Sequence, residues 1–119
     1  MSKANELFDK AWKEMKNGNY DQAIKDFVMA DQYGHAEALC CAGICCQFKI
    51  HDIYGAIKFY EEAIAKKCGN ACYFLSVCYR KGDGVEKNEE EAERLYQLSK
   101  EYNAPITNEG FNEFLSRIL

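Results

Sequence analysis

The stretch Leu75–Ser99, LSVCYRKGDGVEKNEEEAERLYQLS, decides the fold because it contains two helical segments joined by a glycine-bearing loop. Asn88 is a typical N-cap residue, and Glu91 three positions later gives the pattern of a capping box. The residues that follow the cap place one apolar or small side chain at i, i+3, i+4 and i+7, the spacing of a single helix face: Ala92, Leu95, Tyr96 and Ser99. This face is therefore predicted to be buried against another helix.

The same pattern recurs twice upstream. The second helix of each unit carries an alanine, an aromatic residue four positions later and a small residue seven positions later: Ala23, Phe27 and Ala30; Ala56, Tyr60 and Ala63; Ala92, Tyr96 and Ser99. Each alanine follows a residue of N-cap type by four positions: Asn19, Asp52 and Asn88. The first helices share a small residue: Ala11, Gly43 and Ser76. Two helices in a period of about 33 residues indicate an α-solenoid, in which small residues let helix backbones approach while the aromatic ring fills the space between hairpins.

At these residues the chain resembles the tetratricopeptide-repeat (TPR) family. NGNYDQAIKDFVMA (17–30) and DIYGAIKFYEEAI (52–64) are similar to the second half of a TPR unit. The longer loop in YRKGDGVEKNEEEA (79–92) is similar to the Sel-one-like repeat subclass, whose loops read G-x-G-V before a polar N-cap. The resemblance covers residues 4–103.

The chain is predicted to be all-α and to form a single domain over residues 1–119. Its 119 residues, 48% of them hydrophobic, are enough to bury about two-thirds of the unfolded surface. The predicted architecture is an α-solenoid of three antiparallel helix hairpins followed by a C-terminal capping helix. The hairpins are predicted at about 4–34, 36–68 and 70–103, and the capping helix at about 107–119. Their joints are predicted at Asn17–Gly18, Gly34, Gly69 and Gly82–Gly84.

Composition excludes several classes of function. A net charge of −4 and the absence of a basic run argue against a nucleic-acid partner. No run of 18 apolar residues is present, so no membrane span is predicted. The first residues, MSKANELFDKAW, lack the basic and apolar regions of a signal peptide, and the protein is predicted to be cytoplasmic.

Seven cysteines are a high count for such a chain. A metal site is not predicted, because there is no C-x-x-C motif and neither His35 nor His51 stands at ligand spacing. The Sel-one-like resemblance implies a disulfide between Cys68 and Cys72, since secreted cysteine-rich members carry bridges at such joints. The odd count argues against it, and free cysteines that act as small core residues are favoured. Whether Cys68 and Cys72 are bridged stays open, and no cofactor or catalytic residue is predicted.

The resemblance implies a partner-binding groove lined by the first helix of each hairpin. The small residues Ala11, Gly43 and Ser76 fix the register of the repeat in this sequence. In that register the family's inward-projecting positions are Asn5, Phe8, Trp12, Met15, Cys40, Ile44, Gln47, Tyr73, Val77 and Arg80, with Glu37 and Asn70 beside them. A lysine and asparagine clamp for a terminal carboxylate is not expected, because Phe8 and Trp12 stand in the first unit. The alternative for Phe8 and Trp12 is that they pack on a neighbouring hairpin or are covered by the ends of the chain itself.

The sequence thus predicts a non-catalytic scaffold or adaptor for protein–protein interaction, which binds a peptide or helix of another protein in its concave groove. Two alternatives stay open. One is a hydrolase of the peptidoglycan or β-lactam type, as proposed for cysteine-rich relatives, and the other is a module that self-associates, for example as a homodimer.

Overall fold

The computed structural model describes residues 2–102, and this part of the chain contains six α-helices and no strand. The helices are α1 (Lys3–Lys16), α2 (Tyr20–Gln32), α3 (Ala38–Phe48), α4 (Ile53–Ala65), α5 (Gly69–Lys81) and α6 (Glu89–Glu101). They form three hairpins, α1–α2, α3–α4 and α5–α6, which stack through α2 on α3 and α4 on α5. The predicted all-α solenoid of hairpins is confirmed. The capping helix predicted at 107–119 lies outside the described residues.

Helix α6 begins at its predicted cap, but only half of the capping box forms. The Asn88 side-chain oxygen accepts a hydrogen bond from the Glu91 backbone N–H at 3.0 Å. The Glu91 carboxylate does not return to Asn88; it binds the Arg94 guanidinium one turn later, with Nε at 3.1 Å from both carboxylate oxygens. The Asn88 N–H donates instead to the Tyr79 carbonyl oxygen at 2.9 Å. The capping box would also require the Asn88 N–H to donate to the Glu91 carboxylate, and this prediction was wrong. The Asn88 N–H has the Tyr79 carbonyl of α5 as its acceptor, and the Glu91 carboxylate is held by Arg94.

The other two predicted caps differ from each other. The Asp52 carboxylate accepts from the Gly55 N–H at 3.0 Å and caps α4. Asn19 precedes α2 as predicted, yet its side chain makes no capping bond and donates to Glu14 Oε2 at 2.8 Å. Of these two predicted N-cap residues, Asp52 therefore caps its helix, whereas Asn19 bonds to the preceding helix of its own hairpin.

The turns between helices contain predicted glycines and also two non-glycine residues whose left-handed backbone was not predicted from the sequence. Helix α5 ends at Gly82, which has a left-handed φ of 70°. Gly69 was predicted as a joint but is the first residue of α5, and the turn before it is made by Lys67, whose φ is 63°. His51 adopts a similar φ of 57° before α4. Left-handed backbone at residues with a Cβ is uncommon, and a lysine such as Lys67 gives no signal for it.

The second hairpin is held together where Gly43 of α3 meets Tyr60 of α4. A Cβ on Gly43 would lie 2.5 Å from Tyr60 Cε1 and 3.2 Å from the Ala56 carbonyl oxygen. Tyr60 is fully buried, and its ring stacks on Phe74 with centroids 5.6 Å apart. This close approach explains the pairing of small and aromatic residues that the repeat pattern showed.

Candidate functional site

The predicted groove residues differ widely in accessibility. Two are exposed, Asn5 and Arg80; four are half-buried, Phe8, Trp12, Gln47 and Val77; four are buried, Met15, Cys40, Ile44 and Tyr73. The buried four belong to the packing of the hairpins, so a partner would reach the other six. The accessible surface is therefore aromatic at α1 and mixed apolar and polar between α3 and α5.

The aromatic end is built inside the first hairpin. Phe8 and Trp12 of α1 both meet the fully buried Phe27 edge-on, with ring centroids 5.6 and 5.8 Å apart. Phe8 also stacks on His35, with centroids 3.8 Å apart and planes within 12°. These contacts fix the orientation of both rings and leave each half-buried. The Phe8 and Trp12 side chains thus pack on their own hairpin and also present part of their surface.

A pocket opens between the C-terminal halves of α3 and α5, where two predicted groove residues, Gln47 and Val77, come together. Its volume is about 120 Å³, and the residues that line it are Gln47, Phe48, Phe74, Val77, Cys78, Lys81 and Asp83. The Gln47 side-chain oxygen accepts a hydrogen bond from the Tyr60 hydroxyl at 2.7 Å, which holds this wall in place. The pocket combines apolar walls with an exposed cation and an exposed carboxylate at its rim.

Sequence reasoning missed most of this lining. Phe48 directly follows Gln47, and Lys81 directly follows Arg80, so both stand next to predicted positions at helix ends. Asp83 belongs to the loop after α5, whose path depends on the left-handed Gly82. Periodicity along one helix could not place these residues, because they reach the pocket from helix ends and a loop.

Tyr73 of α5 is a core residue. Its ring meets Phe74 and Tyr96 edge-on, with centroids 6.5 and 6.2 Å apart, and only 6% of the residue is exposed. Burial raises the pKa of the Tyr73 hydroxyl. Tyr73, which the repeat register predicts to project into the groove, therefore packs between α5 and α6.

All seven cysteines are free and buried: Cys40, Cys41, Cys45, Cys46, Cys68, Cys72 and Cys78. Burial raises the pKa of the Cys45, Cys46 and Cys72 thiols to about 11, so each is protonated near neutral pH. Within residues 2–102, no three His, Cys, Asp or Glu side chains are gathered as metal ligands. None of the six described helices has the length and apolar composition that a membrane crossing requires.

The third hairpin identifies the class of repeat. Residues 69–101 match the family model of the Sel1 repeat, a TPR-like repeat. These bounds coincide with the start of α5 and the end of α6. The third hairpin therefore matches a Sel1 repeat, and the Sel-one-like resemblance inferred from this stretch of the sequence is confirmed.

A particular relative gives a narrower comparison. The chain is similar to the cytochrome c oxidase assembly factor 7 homolog of Drosophila melanogaster, with 40% identity over 52 residues. The match covers 44% of this chain and 20% of the relative. The compared segment thus spans about a fifth of the relative's length.

Proposed function

We propose that this protein is a non-catalytic adaptor that binds a peptide or helix of another protein along the first helices of its hairpins. The pocket between Gln47 and Val77 is the observation that carries the proposal. Stacked hairpins of this kind create extended concave surfaces that helical-repeat proteins use for binding. The Sel1 repeat and the relative named as an assembly factor support an adaptor role.

The size and lining of the pocket favour one side chain of a protein partner as its occupant. Its volume of about 120 Å³ is below the range of about 300–1,000 Å³ typical of small-molecule sites. Phe48, Phe74 and Val77 offer an apolar seat, while Lys81 and Asp83 at the rim offer one charge of each sign. We therefore propose an aliphatic or aromatic anchor residue that is flanked by polar residues in the partner.

The half-buried rings of Phe8 and Trp12 extend the proposed surface toward α1. Aromatic side chains that are already oriented lose little conformational freedom on binding and often dominate interface energy. Trp12 is held by Phe27 at a ring distance of 5.8 Å. We therefore propose two anchor regions, the α3–α5 pocket and the Trp12 ring, and no catalytic residue, cofactor or metal at either.

The compartment belongs to the same proposal. Seven free thiols are typical of a reducing compartment, and we propose the cytoplasm.

The test compares affinity capture by the wild-type chain and by three variants, with bound proteins quantified by mass spectrometry. Val77→Arg fills the pocket, Trp12→Ala removes the second anchor, and Lys58→Glu changes an exposed residue of α4 as the matched control. A specific partner should be retained by the control and weakened by about 2 kcal/mol, roughly thirtyfold, in each groove variant. Circular dichroism should show unchanged helical content.

Two results would refute the proposal. One is a partner that survives both groove substitutions but is lost with Lys58→Glu, because binding would then use the outer face. The other is a light-scattering mass of a dimer that becomes monomeric in Val77→Arg without any captured protein, which would identify the pocket as a self-association surface. If Trp12→Ala unfolds the chain, Trp12 is a core residue and not an anchor.

A further inference from the structure

Residues 107–119, TNEGFNEFLSRIL, lie beyond the described part of the chain, and their sequence has the periodicity of an amphipathic helix. Large apolar side chains recur at i, i+3, i+4 and i+7, the spacing of one helix face: Phe111, Phe114, Leu115 and Ile118. Asparagine, glutamate, serine and arginine stand between them. Because a helix of this kind is stabilised mainly by packing of its apolar face, this stripe needs a surface that covers it.

The outer face of α6 offers no apolar surface for the stripe. Val28 of α2 and Ile64 of α4 pack on the core cluster that joins successive hairpins. In the repeat register, the corresponding positions of α6 carry the exposed residues Gln97 and Lys100. The Lys100 ammonium also lies over the Tyr96 ring, 4.5 Å from its centroid. A helix stacked on α6 as the next repeat would thus meet polar and charged side chains.

The α3–α5 pocket lies within reach of the stripe. Helix α6 is the antiparallel partner of α5, so it ends at Glu101 beside the start of α5, whereas the pocket lies in the other half of α5, at Val77. Residues 103–106 span up to about 13 Å when extended, which is enough to cross the roughly 8–10 Å between packed helix axes. At about 1.5 Å per residue, a helix that begins at residue 107 beside the start of α5 brings Leu115 level with Val77.

The pocket and the stripe are complementary in polarity and in charge. Phe48, Phe74 and Val77 give the pocket an apolar wall that can receive aromatic and aliphatic side chains. The exposed charges at the end of α5 are mainly positive, whereas those of residues 107–119 are mainly negative. They are Arg80 and Lys81 against Asp83 at α5, and Glu109 and Glu113 against Arg117 in the segment. Opposite net charge favours this pairing over binding of a basic segment.

We propose that residues 107–119 are an internal ligand of the α3–α5 pocket, with their apolar stripe against Phe48 and Val77. The segment is tethered by only a few residues, so its effective concentration at the pocket is high. A partner protein that uses the same pocket has to displace it. Docking of the segment needs no partner, whereas this regulatory consequence rests on the proposed adaptor function.

The test locates the segment in the full chain by photocrosslinking. Phe114 is replaced by p-benzoylphenylalanine, the protein is irradiated at low concentration, and its tryptic peptides are analysed by mass spectrometry. We expect an intrachain crosslink from peptide 101–117 to peptide 26–49 or 68–80, which contain Phe48 and Val77. The matched control carries the same probe at Ser116, on the opposite side of the predicted helix, and should lose this crosslink.

A second pair of variants tests the pocket itself. Val77→Glu places a carboxylate in the apolar wall and should abolish the crosslink, whereas Lys58→Glu introduces the same side chain on the exposed face of α4 and should retain it. Circular dichroism checks folding, and Phe111 takes the probe if the chain with the probe at Phe114 does not fold.

Four results overturn the proposal. A crosslink to peptide 95–100 would place the segment on α6, and a crosslinked dimer would make a second copy the occupant of the pocket. No crosslink, or equal crosslinking from the Ser116 probe, would show that the stripe does not dock. A crosslink that survives Val77→Glu would place the segment outside the pocket.

Partner capture separates this inference from the proposed adaptor function. If the segment fills the pocket for about nine-tenths of the time, a partner binds about tenfold more weakly than to the open pocket. Leu115→Asp should therefore abolish the crosslink and raise partner capture about tenfold. If the crosslink forms in the parent chain but Leu115→Asp leaves capture unchanged, docking is supported, while the competition and the pocket's role in partner binding are both refuted.

Discussion

Replacing Gly43 by alanine tests the packing at the centre of the second hairpin. The added Cβ would lie 2.5 Å from Tyr60 Cε1 and 2.7 Å from Cδ1, whereas carbon atoms in contact are ordinarily about 3.5–4.0 Å apart. The Tyr60 ring would have to move by about 1 Å. It is fully buried, stacked on Phe74 and hydrogen-bonded to Gln47, so it has little freedom to do so.

Two effects of opposite sign set the magnitude. Alanine is a better helix former than glycine by about 1 kcal/mol, while overpacking a rigid core costs about 1–3 kcal/mol. The confinement of Tyr60 places the cost at the upper end, so Gly43→Ala should lower the free energy of unfolding by about 2 kcal/mol. For a chain of this size the melting temperature should fall by about 10 °C.

The assay is urea unfolding followed by circular dichroism, combined with a double-mutant cycle. Tyr60→Leu removes the ring atoms that meet the new Cβ. In that background Gly43→Ala should become neutral or stabilising by up to about 1 kcal/mol, since the gain in helix propensity is then opposed only by the 3.2 Å approach of the new Cβ to the Ala56 carbonyl oxygen. The reasoning is refuted if Gly43→Ala is as stable as the wild type, or if its cost persists in the Tyr60→Leu background.

Three further predictions concern stability. Phe27→Ala should cost about 3–5 kcal/mol in urea unfolding, because it opens a cavity beneath two aromatic rings, and a loss below about 1 kcal/mol would contradict that role. Asn88→Ala should lower the free energy of unfolding by about 1 kcal/mol, because the capping bond to the Glu91 N–H is lost. Asn19→Ala should lower it clearly less, because the Asn19 side chain makes no capping bond, and equal losses would contradict the cap assignment. Burial raises the pKa of Cys45 and Cys72 from 9.0 to about 11, so the unfolded chain loses these protons first. The free energy of unfolding should therefore fall as pH rises from about 9 to 11, and a urea midpoint that is constant across this window would contradict it.

The order and pairing of the helices could be predicted because short-range patterns determine them. The spacing of Ala56 and Tyr60 has a counterpart in every hairpin, and the six described helices follow one another in three hairpins as the repeat predicts. The pairing of Gly43 with Tyr60 follows from the same repeat, since a small residue in one helix accommodates an aromatic residue in the next.

The candidate sites could be predicted only in part, because they depend on residues that tertiary packing brings together. Gln47 and Val77 were found from the repeat register, but Asp83 reaches their pocket from a loop. The Phe8 ring stacks on His35, which lies in the turn after α2, and no periodicity relates these two positions. The left-handed conformation of Lys67, which shapes the turn before Cys68, has no signature in its residue type.

The loop of the Sel1 repeat restricts which hairpin can precede the repeat in the stack. A Cβ on Gly84 would lie 2.7 Å from Ile53 and from Ile57, so this loop sits directly on α4 of the preceding hairpin. At the corresponding positions of α6, 36 residues later, the chain has the exposed residues Glu89 and Glu93. A second loop of this type placed after α6 would therefore meet two carboxylates in place of two isoleucines. The order of the hairpins is not interchangeable, and grafting the third hairpin onto another array would require that array to end in a helix with a matching aliphatic pair.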